Sequence, residues 1–435
     1  MDTARRRWGG RYHRAMRNAL FVVMVLVVMD RSAMDVEAVT HPGDIEALKE
    51  VKQALNASSI MVSTCMGSWD FAYDPCDSRA SPHFTCGVDC SAPVLGVSRI
   101  TGIRLERGAG YMGPLSPAIA NLTALQRLIV SGNAFQGHIP PTLGNLTDMF
   151  QLDLSMNNFT GPLPPSLGLL SHLGYLSVAY NSLQGPIPES LNQLHNLTHL
   201  YLNENHLTGD IPSLAAMSSL SVFDASGNNL TGTLPTFSPS ISLVALRKNE
   251  LIGHLPASLK NLTLLQVLDL RENHLNGTIG SFLYTMPNLQ QLNLSHNHFT
   301  AVEAFDIASG ATSELLSMDL SFNKILGQLP ESLAGIQKLT VLALRSNLFT
   351  GPIPYLYALK AADSLSGTLQ LGQLYLDDNY LSGGIPSPLL NLSADAVSAN
   401  LVRNCLETCP PSLFFCQGGT QKTPEECNVP VVLPG

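Results

Sequence analysis

Residues 121–140 read NLTALQRLIVSGNAFQGHIP. The same order of Leu, Asn, Gly and Ile-Pro returns at 173–188, LGYLSVAYNSLQGPIP, and at 197–212, LTHLYLNENHLTGDIP. Each time an uncharged Asn stands among leucines. Eleven such Asn occur, at Asn133, Asn157, Asn181, Asn205, Asn228, Asn249, Asn273, Asn297, Asn323, Asn347 and Asn379, spaced by 24, 24, 24, 23, 21, 24, 24, 26, 24 and 32 residues. A degenerate unit precedes them at 100–117 (ITGIRLERGAGYMGPLSP), and a half unit, SANLVRNC, ends with Asn404 and Cys405. Repetition on this scale specifies a stack of similar turns, each giving one short strand to a parallel sheet. Leu125, Leu128 and Val130 should point into a core shared with the next turn, about 4.8 Å away. After the strand the chain turns sharply inside that core, so its backbone N–H and C=O groups need partners. An amide side chain both donates and accepts. Asp would add charge and lack the donors, and Leu would leave the groups unpaired. The Asn is therefore expected to hold the turn, not to do chemistry.

A period near 24 with this pattern is that of a leucine-rich repeat. The stretch L-x-G-x-I-P after the Asn resembles the plant-specific repeat of extracellular receptors, over roughly residues 42–427. The resemblance implies an α/β solenoid: a plant-type leucine-rich repeat superhelix of about 12 repeats, with a second sheet and disulfide-bonded N- and C-terminal caps. Two stretches depart from the pattern. NHFTAVEAFDIASGA (297–311) lacks Gly-x-Ile-Pro, and YLYALKAADSLSGTLQL (355–371) lengthens one repeat by eight residues. The longer stretch is expected to form a small loop or helix on the convex side. It is shorter than the island domains with which some such receptors hold small hormones.

The two ends divide into a signal peptide (1–38), an N-terminal cysteine-containing cap (39–98), the repeats (99–404) and a C-terminal cap (405–435). Arg5, Arg6, Arg7, Arg11, Arg14 and Arg17 precede the apolar run ALFVVMVLVVM at 19–29. Eleven residues fall short of the roughly 20 needed to span a bilayer. The run reads as a secretory signal rather than an anchor, with cleavage expected after Val36-Glu37-Ala38. No transmembrane segment is expected in the mature chain. Residues 1–38 carry seven Arg and four acids, so 17 basic and 29 acidic residues remain, net −12. That balance argues against nucleic acid.

A solenoid exposes core at both ends and needs caps. DIEALKEVKQAL (44–55) has Ile45, Leu48, Val51 and Leu55 at helical period. Trp69 and four cysteines follow it, similar to the plant N-terminal cap. All eight cysteines lie in the caps: Cys65, Cys76, Cys86, Cys90, Cys405, Cys409, Cys416 and Cys427. In an exported chain they imply disulfides. No His stands at ligand spacing beside either group, which disfavours the alternative of zinc; no metal or cofactor is expected. Each group of four allows three pairings. The resemblance implies neighbours in order: Cys65–Cys76, Cys86–Cys90, Cys405–Cys409 and Cys416–Cys427.

Ten N-x-S/T sequons mark candidate glycosylation sites, at Asn56, Asn121, Asn145, Asn158, Asn196, Asn229, Asn261, Asn276, Asn293 and Asn391. Asn293, between Leu292 and Leu294, should face outward from the concave sheet. Positions four and two before the ladder Asn share that face. Arg247 and Arg271 occupy the second column in adjacent turns, about 5 Å apart. With Tyr201, Asp224 and Asp269 they form a candidate ligand-binding site, since paired guanidinium groups suit carboxylates. The competing reading is that Asp224 and Asp269 merely neutralise the pair. Some plant peptide receptors hold a terminal carboxylate with two Arg of a single repeat, so the likeness is one of kind only. Asp153, Asp269 and Asp319 are repeat filler, and HNH at 296–298 is read as surface loop rather than metal site. No nucleophile elbow, phosphate loop or HExxH occurs, no kinase domain follows the repeats, and no enzyme is expected.

The far cap, NCLETCPPSLFFCQGGTQKTPEEC (404–427), resembles that of kinase-less receptor-like proteins. The expected role is recognition of an extracellular protein or peptide in plant signalling or defence, with a receptor kinase as one candidate partner. The expected place is the extracellular space or cell wall, with the plasma membrane reached through a partner. One alternative is inhibition of a cell-wall-degrading enzyme, as by polygalacturonase-inhibiting proteins. Another is structural wall adhesion.

Overall fold

The computed structural model describes residues 39–77, 83–305 and 313–428. The expected signal peptide lies outside the described residues. A parallel sheet of thirteen strands runs from Ile100–Arg104 to Ser398–Asn400, and Val88–Cys90 adds an antiparallel fourteenth at the N-terminal edge. The register is that of the repeat. Ser177 stands beside Tyr201, Tyr201 beside Asp224, Asp224 beside Ala245, and Ala245 beside Asp269. Leu125, Leu128 and Val130 are buried, as are their equivalents along the stack.

The ladder Asn do what the buried turn requires. Phe135 N–H donates to Asn157 Oδ1 at 3.0 Å, and Asn157 Nδ2 donates to the carbonyls of Val130, Leu154 and Ser155 at 3.1–3.2 Å. One amide thus ties its own turn to the preceding one. Asn404 repeats the arrangement, accepting from Leu381 N–H and donating to Leu376, Leu401 and Val402. The half unit at 398–405 is structurally a full rung.

The segment after each Asn forms the second sheet, in three pieces of six, three and four strands. One break falls between His298–Val302 and Leu326–Gln328, where Gly-x-Ile-Pro is absent. On the convex side, short helical turns start behind a proline, as at Pro141–Asn145 and Pro165–Leu169. The eight-residue extension lengthens one of them into a helix, Tyr355–Ala361, with Tyr357, Ala358, Lys360 and Ala361 buried. Of the small loop or helix expected there, the structure has the helix. Its Tyr357 hydroxyl donates to Pro330 O at 2.9 Å.

The N-terminal helix spans Pro42–Gln53 and buries Ala47, Leu48 and Val51, with Leu55 buried just beyond it. Ile45 is only half-buried, and Asp44 takes the inward place instead. Its carboxylate accepts from Arg99 Nε and Nη2 at 2.9 Å and from Ile100 N–H at 2.8 Å, pinning the helix to the first strand of the stack.

The disulfides correct the pairing expected from the resemblance. They join Cys65–Cys86, Cys76–Cys90, Cys405–Cys427 and Cys409–Cys416. The reason is extended chain. Cys90 ends the strand Val88–Cys90, and Cys405 begins the strand Cys405–Leu406. Extended backbone advances about 3.3 Å per residue and soon exceeds the roughly 7 Å limit on bridged Cα atoms. Each cap therefore clips segments separated in sequence, with Cα separations of 5.0–5.9 Å.

Candidate functional site

The concave sheet brings Arg247, Arg271, Tyr201, Asp224 and Asp269 onto one surface over four adjacent strands, a span of about 15 Å. Each strand is short because the ladder turn follows at once. Its outward side chains are therefore fixed by a buried floor of Phe223, Val244 and Leu268. Arg271 Nε lies 3.9 Å from Asp269 Oδ2 and has no hydrogen-bond partner. Arg247 makes no ion pair among the described residues, yet its charge acts on Asp269. Burial pushes the Asp269 carboxyl up, while the Arg271 backbone N–H and both guanidinium groups pull it down; the net shift is upward. One partly desolvated carboxylate thus faces two guanidinium groups. Asp224 adds a second acidic charge that acts on Asp269, so the two acids and the two guanidinium groups balance in formal charge.

A second job of the acidic column was not read from the sequence. Asp153, Asp224, Asp269, Asn293 and Asp319 each accept, through Oδ1, the backbone N–H two residues on, at 2.9–3.2 Å. This local cap holds the strand end and explains the recurrence of LDL. In the two aspartates of the candidate site one oxygen is structural and the other is left for contacts.

The strand residue six before the ladder Asn also points outward, and sequence reasoning missed this column. It carries Arg127, Tyr175 and His199. Tyr175 and Tyr201 lie with ring centroids 5.7 Å apart, and His199 is 6.0 Å from Tyr175 and 6.1 Å from Tyr201. Arg127 lies over Phe150 at 5.0 Å. Burial, then the Asp153 and Asp224 carboxylates, raise the hydroxyls of Tyr175 and Tyr201 respectively, keeping both as neutral donors. Extending the period-2 alternation one step back would have found this patch. The concave face therefore has an aromatic part and an arginine part. Asn293 stands one strand beyond Asp269, half-buried, with Ser295 N–H and hydroxyl donating to its Oδ1 at 3.1 and 2.7 Å. The other nine sequon Asn are exposed.

Cys65, Cys86 and Glu106 are the one group among the described residues with metal-like spacing, and both cysteines are spent in a disulfide. Among the described residues no helix is long and apolar enough to cross a membrane.

Residues 124–146, 150–170, 196–216, 288–309 and 314–336 match the sequence model of the leucine-rich repeat family. Comparison with curated proteins finds no match. Among solved structures, the PEPR1–AtPEP1 complex is 31% identical over 88% of this chain and 51% of its own, with a TM-score of 0.72. The plant peptide hormone receptor RGFR1 in complex with RGF2 is 28% identical over 74% of this chain and 51% of its own, TM-score 0.65. The ectodomain of the Arabidopsis thaliana receptor kinase GASSHO1/SCHENGEN3, in complex with CASPARIAN STRIP INTEGRITY FACTOR 2, is 23% identical over 87% of this chain and 55% of its own, TM-score 0.50; it speaks for the fold alone. The chain spans about half the length of these solved structures.

Proposed function

We propose that this chain, a leucine-rich repeat protein of the plant extracellular kind, works by recognition: its concave face binds an extracellular protein or peptide that presents a carboxylate to Arg247 and Arg271. The observation that carries the reading is the guanidinium pair itself: Arg271 Nε is shielded from solvent with no hydrogen-bond partner and only a 3.9 Å contact to Asp269, and Arg247 makes no ion pair among the described residues. A preformed guanidinium pair on a rigid sheet gains more from a carboxylate than a mobile surface pair does. Tyr201, Asp224 and Asp269 frame the pair, and the Tyr175–His199–Tyr201 patch offers apolar contact two strands away. PEPR1 and RGFR1, the similar solved structures, are held with AtPEP1 and RGF2, which supports a ligand-binding role. In this reading the chain is exported with its signal removed, oxidised in its caps and glycosylated on exposed sequons. It has no catalytic activity, and it signals through a partner such as a receptor kinase.

The test begins with the glycosylated chain as bait for secreted and membrane proteins, followed by titration of the partner recovered. Arg247→Ala/Arg271→Ala should leave the fold intact and weaken binding by roughly 2–5 kcal/mol if the carboxylate is desolvated between them. A loss under about 1 kcal/mol would mean a solvated rim and move the site elsewhere on the sheet. A glycan on Asn293 would bound the site on its C-terminal side, so Asn293→Gln should extend the footprint past Asp319. Recovery of a pectin-degrading enzyme as the partner would favour inhibition instead.

A further inference from the structure

At the rim where each concave strand turns toward the second sheet, the residue before the ladder Asn and the residue after it face the same flank. In three consecutive turns these are Lys248 and Glu250, Glu272 and His274, and His296 and His298. All six line one open groove of about 580 Å³. That is ample for a short segment of chain. The rings are ordered by contact: His274 and His298 stack with centroids 5.5 Å apart, and His296 stacks on Phe322 at 4.1 Å. Among the described residues none of these three imidazoles makes a hydrogen bond or ion pair with another side chain or the backbone, so their nitrogens are free for a ligand.

The lining has one lysine and two glutamates, a formal charge of −1 with neutral imidazoles and +2 with all three protonated. The surrounding charges are Arg247 and Arg271, one residue inward on the concave side, with Asp269 beside Arg271, Lys324 on the next turn, and Glu204, whose side chain overlies Gly227 at the far end. Three of these five are positive and two negative. Protonation therefore inverts the sign of the groove itself. The stacked pair adds a linkage: two imidazolium rings at this spacing repel one another, and a carboxylate lying across them relieves the repulsion.

We propose that this rim groove docks an acidic peptide segment, and that docking is switched on by protonation of His274, His296 and His298. Histidine is the side chain suited to a charge change between neutral and mildly acidic conditions, while glutamates of the docked segment stay ionised down to about pH 5. The site is separate from the concave carboxylate site, and neither reading depends on the other.

The experiment uses the whole chain and a fluorescent hexaglutamate peptide, with anisotropy read at about pH 5 and about pH 7.5. Wild type should bind at least about tenfold more tightly at the lower pH. His274→Gln/His296→Gln/His298→Gln should melt like wild type and keep less than about a twofold pH step. The step should persist in Arg247→Ala/Arg271→Ala, which separates this groove from the concave site. An undiminished pH step in the triple variant, or equal affinity for hexalysine at the lower pH, overturns the proposal. So does zinc binding that is lost in the triple variant while hexaglutamate fails to bind wild type, which would make the cluster a metal site.

Discussion

The buried turn and the outward columns lie two to four residues apart in the same chain, yet they behave oppositely. At the turn, twelve Asn from Asn133 to Asn404 make the same kind of bonds, to the same places in their own turn and the one before. On the outward face the corresponding positions run Ser177, Tyr201, Asp224, Ala245, Asp269, Asn293 with no period. Where identical backbone demands recur, one side chain answers them all. Where the backbone demands nothing, variation is free to serve recognition. Column four is intermediate: its Asp and Asn cap the strand end and also face the solvent.

The comparison breaks most readily at the turn. Asn205→Leu removes the acceptor of Leu183 N–H and the donor to the carbonyls of Val178, Leu202 and Asn203. A loss of about 3 kcal/mol is expected from the stranded buried groups, and an unchanged urea or thermal melt would refute the ladder argument at that rung. Lys360 tests a buried position with no repeat behind it. Its ammonium donates to Ile336 O at 2.7 Å, and burial pushes its pKa down to about 8. The unfolded chain then holds this proton up to about pH 10.4, where the folded chain has released it. Native stability should therefore rise with pH between these values and be flat below about 8. Lys360→Met should stabilise by about 1 kcal/mol near pH 7, with the gain shrinking as pH rises; melts at two pH values decide it. The smallest effect is expected outside. Arg247→Ala/Arg271→Ala should shift stability by less than about 0.5 kcal/mol, and a larger loss would assign the pair a structural role.

Much of this was legible in the sequence. The solenoid, the inward leucines, the turn Asn, the helix at Pro42–Gln53 and the shared surface of Arg247, Arg271 and Asp269 all follow from periodicity, and periodicity is what stacked turns impose. Three features were not legible. Asp44 has its partner Arg99 55 residues on, and nothing local marks a buried carboxylate. The disulfide pairing depends on where strands begin and end in the caps, outside the repeat. The Tyr175–His199–Tyr201 patch joins residues 24 and 26 positions apart, and two outward columns were counted where the strand has three.

The residue before every ladder Asn has positive φ, from Gly132 at 70° and Met156 at 54° to Arg403 at 56°. A left-handed backbone is hardest on side chains branched at Cβ. Across the twelve rungs this position holds Gly, Met, Tyr, Glu, Lys, His, Phe, Ser, Asp and Arg, but never Val, Ile or Thr. The rim is thus written in a restricted alphabet. Drift along this one line of the molecule is channelled toward long, flexible, charged or aromatic groups, the kinds that make contacts, before any partner exerts selection on it.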